Sequence, residues 1–150
     1  VSFITFSVPG KPVAKGRARV SVRGGHARMY TPEKTQRYED AVRIAAAMAM
    51  GDRMPMNEPV ALSVTAYVQI PASMSKAKRL AAIEGRIVPG TRPDADNYAK
   101  AALDGCNAIL FRDDALVTDL TVRKRYAENP RLVIVMETIA DDDIDMRGAL

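Results

Sequence analysis

Four aspartates and one lysine carry the chemistry legible in this chain. Asp94 and Asp96 lie in Thr91-Arg-Pro-Asp-Ala-Asp-Asn-Tyr-Ala-Lys100, Asp113 and Asp114 in Phe111-Arg-Asp-Asp-Ala115, and Lys100 stands between the two pairs. Carboxylates gathered in this way repel: at ~4 Å a pair costs about 1 kcal/mol in water and about 4 at an intermediate dielectric. A hard divalent cation relieves that repulsion, so the expected guest is Mg²⁺, with Mn²⁺ able to satisfy the same oxygen ligands. On this reading Asp94, Asp96 and Asp114 hold one or two ions, and Asp113 is either a further ligand or an orienter of the others. Such a metal lowers the pKa of a bound water and stabilises charge on a scissile phosphate without a histidine base. Lys100, four residues after Asp96 and so on the same helical face, is placed to meet the phosphate or orient the attacking water.

The same residues have plainer explanations. Asp96 could be a helix cap, and Asp113-Asp114 could simply form a turn. Against those explanations stand the proline-stiffened approach, the acids at a helix mouth that already attracts anions, and a second acidic pair where helix hands over to strand.

The elements that must position these groups follow from pattern. Ile4, Phe6 and Val8 alternate with polar residues in a strand ended by Pro9-Gly10. Lys11 to Arg28 has no sustained apolar period and reads as a loop or loose hairpin. Thr31 as N-cap, Pro32 in the first turn and Glu33 start a helix that Gly51 stops, with Tyr38, Ala41, Val42, Ala45, Met48 and Ala49 at helical spacing and its methionines expected in the core. Val60 to Ile70 alternates strictly and predicts a strand. Ser75 caps a short helix closed by Gly85, and a stiff loop leads into a helix from about Asp96 that buries Tyr98, Ala102, Cys106, Ile109 and Leu110. A strand after Asp114 and another from Arg131 to Ile139 are expected to form a hairpin around Glu128-Asn129-Pro130. The fold class is α/β (α+β): one domain over 1–139, a mixed sheet packed against helices, then an acidic tail from Ala140 to Leu150.

Composition narrows the function. The chain has 150 residues, of which 47% are hydrophobic, enough for one core. One cysteine, Cys106, rules out an internal disulfide, and with a single histidine, His26, a Cys/His zinc site and a histidine-based nucleophilic triad are set aside. Tyr98 and Ala99 break the pattern of a calcium EF-hand, and no Gly-rich phosphate loop or nucleotide cofactor motif is present. No apolar run spans a bilayer and no signal peptide is visible, which predicts a cytoplasmic protein with no membrane partner. The net charge is +4, and from Val1 to Pro32 every charged side chain is basic: Lys11, Lys15, Arg17, Arg19, Arg23 and Arg28. A basic arm beside an acidic pocket suits a metal-dependent enzyme acting on phosphodiesters, although a charge run can also be mere solvated surface.

Several segments together resemble the RusA family of Holliday junction resolvases, found in bacteria and their prophages. They are Val8-Pro-Gly-Lys-Pro12, Lys15-Gly-Arg-Ala-Arg19, the Thr31-Pro32 helix start, Ser75-Lys76, Arg92-Pro-Asp-Ala-Asp-Asn97 with Lys100, and Asp113-Asp114-Ala-Leu-Val117. The resemblance implies that Asp94, Asp96 and Asp114 are magnesium-binding catalytic carboxylates, Lys100 an essential basic residue, and Asp113 a supporting residue. It implies a homodimer of α/β fold that cuts four-way DNA junctions by paired symmetric nicks. Two nicks require two symmetry-related sites, which a two-fold dimer supplies. DNA contacts are then expected from Lys11, Lys15, Arg17, Arg19, Arg23 and Arg92, with branched shape read in preference to sequence. A nuclease for flaps, forks or RNA would share the metal site, and a non-catalytic nucleic-acid-binding module would share only the basic arm.

Overall fold

A computed structural model describes residues 3–139; the acidic tail expected from Ala140 onward lies outside the described residues. Strand β1 (Phe3–Pro9) is followed by β2 (Arg19–Arg23), β3 (His26–Tyr30) and helix α1 (Glu33–Met50). Strand β4 (Val60–Gln69), helices α2 (Lys76–Ile83) and α3 (Ala95–Cys106), a 3-10 turn at Asp114–Leu116, β5 (Val117–Ala127) and β6 (Arg131–Thr138) complete the domain. The α+β class expected from the sequence is what forms.

The main sheet has the order β1-β6-β4-β5, with β4 and β5 parallel and the other pairs antiparallel. The expected β5/β6 hairpin is therefore corrected: β4 lies between the two strands. Only three residues, Glu128 to Pro130, join them, enough to step over the end of β4 across two strand spacings of about 4.8 Å each. Burial explains the preference. Val60, Leu62, Val64 and Ala66 are all buried on β4, so that strand takes a central place, and its parallel partner β5 requires the long crossover that α2 and α3 provide.

Helix α1 starts one residue later than expected, with Pro32 at the N-cap and no side-chain capping bond. Its buried face is Thr35, Tyr38, Val42, Ala46 and Met50, not the Ala41–Ala45–Met48 stripe. Met48 is 79% exposed. The run Ala41 to Met50 is apolar on nearly every side, so periodicity alone could not choose its inward face. α3 ends at Cys106, where Asn107 leaves helical geometry and Ala108 takes φ 65°. Leu110 is thus buried beyond the helix rather than on it.

α1 and α3 cross closely because Gly105 has no side chain. A Cβ there would lie 2.6 Å from the Val42 Cβ and 3.1 Å from the Glu39 carbonyl oxygen. Gly105→Ala gains about 1 kcal/mol of helix propensity, but overpacking against atoms that cannot swing aside costs about 3. The expected result is a net loss of about 2 kcal/mol, read as a lower midpoint in denaturant with an unchanged m-value.

Candidate active site

The loop before α3 is held by a lysine that sequence reasoning missed. Lys124 sits on the core side of β5, opposite Ala66, and its Nζ donates to the carbonyl oxygens of Thr91 at 2.7 Å and Pro93 at 3.0 Å. A lysine between the inward-facing Val122 and Tyr126 was the signal that could have found it. These bonds fix the backbone just ahead of Asp94.

Asp94 occupies the N-cap position of α3, yet its carboxylate makes no capping bond. Asp96 lies inside the first turn, with its carboxylate 3.8 Å from Lys100 Nζ and both side chains well exposed. Asp113 likewise stands at the N-cap of the 3-10 turn without a capping bond. The plainer explanation of these acids as caps therefore lacks the hydrogen bonds it needs.

Asp113 and Asp114 are close enough to interact. A side-chain hydrogen bond with Asp113 holds the Asp114 carboxyl above the usual carboxylate range, helped by desolvation and by the charges of Asp113 and Asp104. Among the described residues no group of three or more acidic, cysteine or histidine side chains that could hold a metal ion is formed. Asp114 lies near enough to Asp104, in the last turns of α3, to feel its charge.

Basic groups do reach the mouth of α3. Lys11, Arg92 and Lys124 line a cleft of about 270 Å³ together with Tyr98, Tyr126 and Pro93. A neighbouring cleft of about 490 Å³ shares the wall of Lys11, Pro12, Pro93 and Tyr98, and adds Arg17 and Arg19. Arg23 lies further out on the β2/β3 ribbon. Its register puts Arg19, Ser21 and Arg23 beside Tyr30, Arg28 and His26 on one face, and Val20 and Val22 beside Met29 and Ala27 on the other.

Lys15 is engaged differently from the other arm residues. Its backbone N–H donates to the Asn97 carbonyl at 2.9 Å, and its Nζ meets Glu39 at 2.5 Å and Asp104 at 2.9 Å. Desolvation opposes its charge, but the hydrogen bonds to Glu39 and Asp104 outweigh it and raise the lysine above its ordinary pKa. The pairing therefore stabilises the fold at neutral pH and is lost as pH rises through that elevated value, above about 10.4. Lys15→Met is expected to cost about 1–2 kcal/mol at pH 7, with the difference from wild type shrinking in melts above about pH 10.4. The thiol of Cys106 offers no alternative chemistry, since burial pushes it up to about 12.

The α+β frame thus presents carboxylates without capping bonds beside basic clefts, and the class of protein follows from its family. The chain belongs to the RusA endodeoxyribonuclease family, whose description, Endodeoxyribonuclease RusA, it matches over residues 9–137. It is thus a nuclease of a family that acts on branched DNA. It is also 36% identical over 139 residues to the protein YqaN of Bacillus subtilis (strain 168), covering 91% of this chain and 97% of that relative, so the similarity embraces the whole fold rather than one motif. Among the described residues no helix is long and apolar enough to cross a membrane.

Proposed function

We propose that this protein is a Mg²⁺-dependent, homodimeric endonuclease that resolves four-way DNA junctions by paired symmetric nicks. The observation that carries the reading is the mouth of α3, where Asp94 and Asp96 are free of capping bonds beside clefts lined by Lys11, Arg17, Arg19, Arg92 and Lys124. Mg²⁺ ordinarily binds through one or two carboxylates, water and substrate phosphate, so a pair of aspartates fits it without a third protein ligand. When bound, the ion supplies an activated water and neutralises charge on the phosphate.

The residues of the chain do the rest. Asp94 and Asp96 hold the ion at a helix N-terminus whose N–H groups also favour a phosphate oxygen. Lys100 balances Asp96 and presents a cationic point charge to the strand. Arg17, Arg19 and Arg92 hold the flanking backbone. Asp113 and Asp114 form a second acidic pair near Asp104 of α3, with Asp114 the further carboxylate for the ion and Asp113 supporting it.

Labelled four-way junction, flap and linear duplex at equal concentration, each with Mg²⁺ or EDTA, test this reading. The junction is expected to be cut fastest, symmetrically, and only with the metal. Equal cutting of all three would remove the junction from the assignment and favour a general flap or fork nuclease. Junction binding without any cutting would leave a binding module.

A further inference from the structure

The two aspartates at the mouth of α3 are held in place by different means. Asp96 lies inside the first turn, so the helix itself fixes its backbone, whereas Asp94 stands outside helical geometry at φ −69° and ψ 148°. The loop before it therefore decides where its carboxylate goes. Pro89 is buried and anchors the start of that loop, but Thr91, Arg92, Pro93 and Asp94 are all exposed, so packing does little to hold them. Among the described residues no backbone–backbone hydrogen bond involves residues 88–93, and Pro93 has no N–H to offer. The bonds that do hold this segment come from Lys124 Nζ, to the Thr91 carbonyl at 2.7 Å and the Pro93 carbonyl at 3.0 Å. The stem of Lys124 rises from β5 opposite the small, buried Ala66.

We propose that Lys124 is a positioning residue for the metal: by clamping the carbonyls on either side of Arg92 it sets where the Asp94 carboxylate meets the ion, while touching neither ion nor DNA itself. The inference rests on the Mg²⁺ site proposed at the α3 mouth and adds the residue that keeps that site preformed. Mg²⁺ accepts only near-ideal octahedral geometry at short range, so a site built on two aspartates is sensitive to where each one stands before the ion arrives. Without the clamp the Asp94 segment has to be ordered as the ion binds, and affinity falls by that cost.

Charge and position act with opposite sign here. Lys124 is a cation bonded to the residue next to Asp94, so its charge alone repels Mg²⁺, and removing that charge would tighten metal binding. Removing the clamp weakens metal binding instead, by about 10–100-fold on the scale of groups that orient metal ligands. The direction of the change therefore separates the two roles. A third role, direct contact with a phosphate in the cleft that Lys124 lines, would show in DNA affinity with no metal present.

The probe is Mn²⁺ alone, titrated into the full chain without DNA and followed by the loss of free-ion signal in electron paramagnetic resonance; wild type and Asp94→Asn set the scale. Lys124→Cys is expected to weaken Mn²⁺ binding about tenfold or more and to lower the Mg²⁺-dependent cleavage rate at least as much, while junction affinity in EDTA stays within a few fold. Alkylating that cysteine with 2-bromoethylamine rebuilds an ammonium of lysine length and should restore both. The native Cys106 is buried, with its thiol pushed up to about 12, and escapes the reagent. Lys124→Gln, polar and of similar size, should weaken Mn²⁺ binding in the same way, and serves in its place if circular dichroism shows the cysteine variant unfolded. Mn²⁺ binding equal to or tighter than wild type in these variants, or weaker binding that alkylation fails to restore, overturns the clamp and leaves the metal site standing. Junction affinity that falls in EDTA while Mn²⁺ binding holds overturns it in favour of a phosphate contact. A wild type that binds Mn²⁺ no better than Asp94→Asn overturns the metal site and the clamp together.

Discussion

Asp96→Asn lowers the single-turnover rate of junction cleavage by about a thousandfold, the equivalent of roughly 4 kcal/mol of lost transition-state stabilisation, while junction affinity stays within a few fold. The same result is expected for Asp94→Asn. Both carboxylates are exposed and neither forms a capping bond, so their isosteric replacement disturbs nothing the fold depends on and stability stays within about 0.5 kcal/mol. Neither side chain holds DNA on this reading; removing a negative charge beside Lys11 and Arg92 can only ease the approach of a polyanion. Binding measured in EDTA therefore separates from cutting measured in Mg²⁺. Cleavage untouched by both changes would refute the metal assignment at α3. A joint fall in cleavage, affinity and melting temperature would show that the aspartates are structural after all.

How far the sequence could be read follows from where each partner lies. The β4 strand was legible because Val60, Leu62, Val64 and Ala66 alternate within one segment, and the mouth of α3 was legible because Asp94, Asp96 and Lys100 are within about two turns. The order of the sheet was not, because a short loop between β5 and β6 looks the same whether the strands pair or straddle a third. The inward face of α1 was hidden by an almost continuous apolar run, and only the close approach of Val42 to Gly105 decides it. The role of Lys15 was hidden for a similar reason: its partners Glu39 and Asp104 are 24 and 89 positions away. Charge composition marked the arm as basic but could not say which of its charges the fold had already paired.

That distinction governs the second large effect expected. Replacing Arg17, Arg19 and Arg23 with Ala should reduce the slope of log affinity against log salt by about 0.9 for each phosphate no longer neutralised, or roughly 2.7 in all. Junction affinity at low salt should then fall far more than at high salt. Arg17 and Arg19 line the cleft beside α3, while Arg23 lies on the ribbon face it shares with Arg28 and His26; nothing among the described ion pairs neutralises these three arginines. Lys15→Met should leave the slope unchanged despite its stability cost, because Glu39 and Asp104 already occupy that ammonium. The contrast is what makes the experiment decisive. If the triple variant kept the wild-type slope, the arm would not touch DNA, and if Lys15→Met flattened it as much as an arginine change, its ion pairs would have to open when DNA binds.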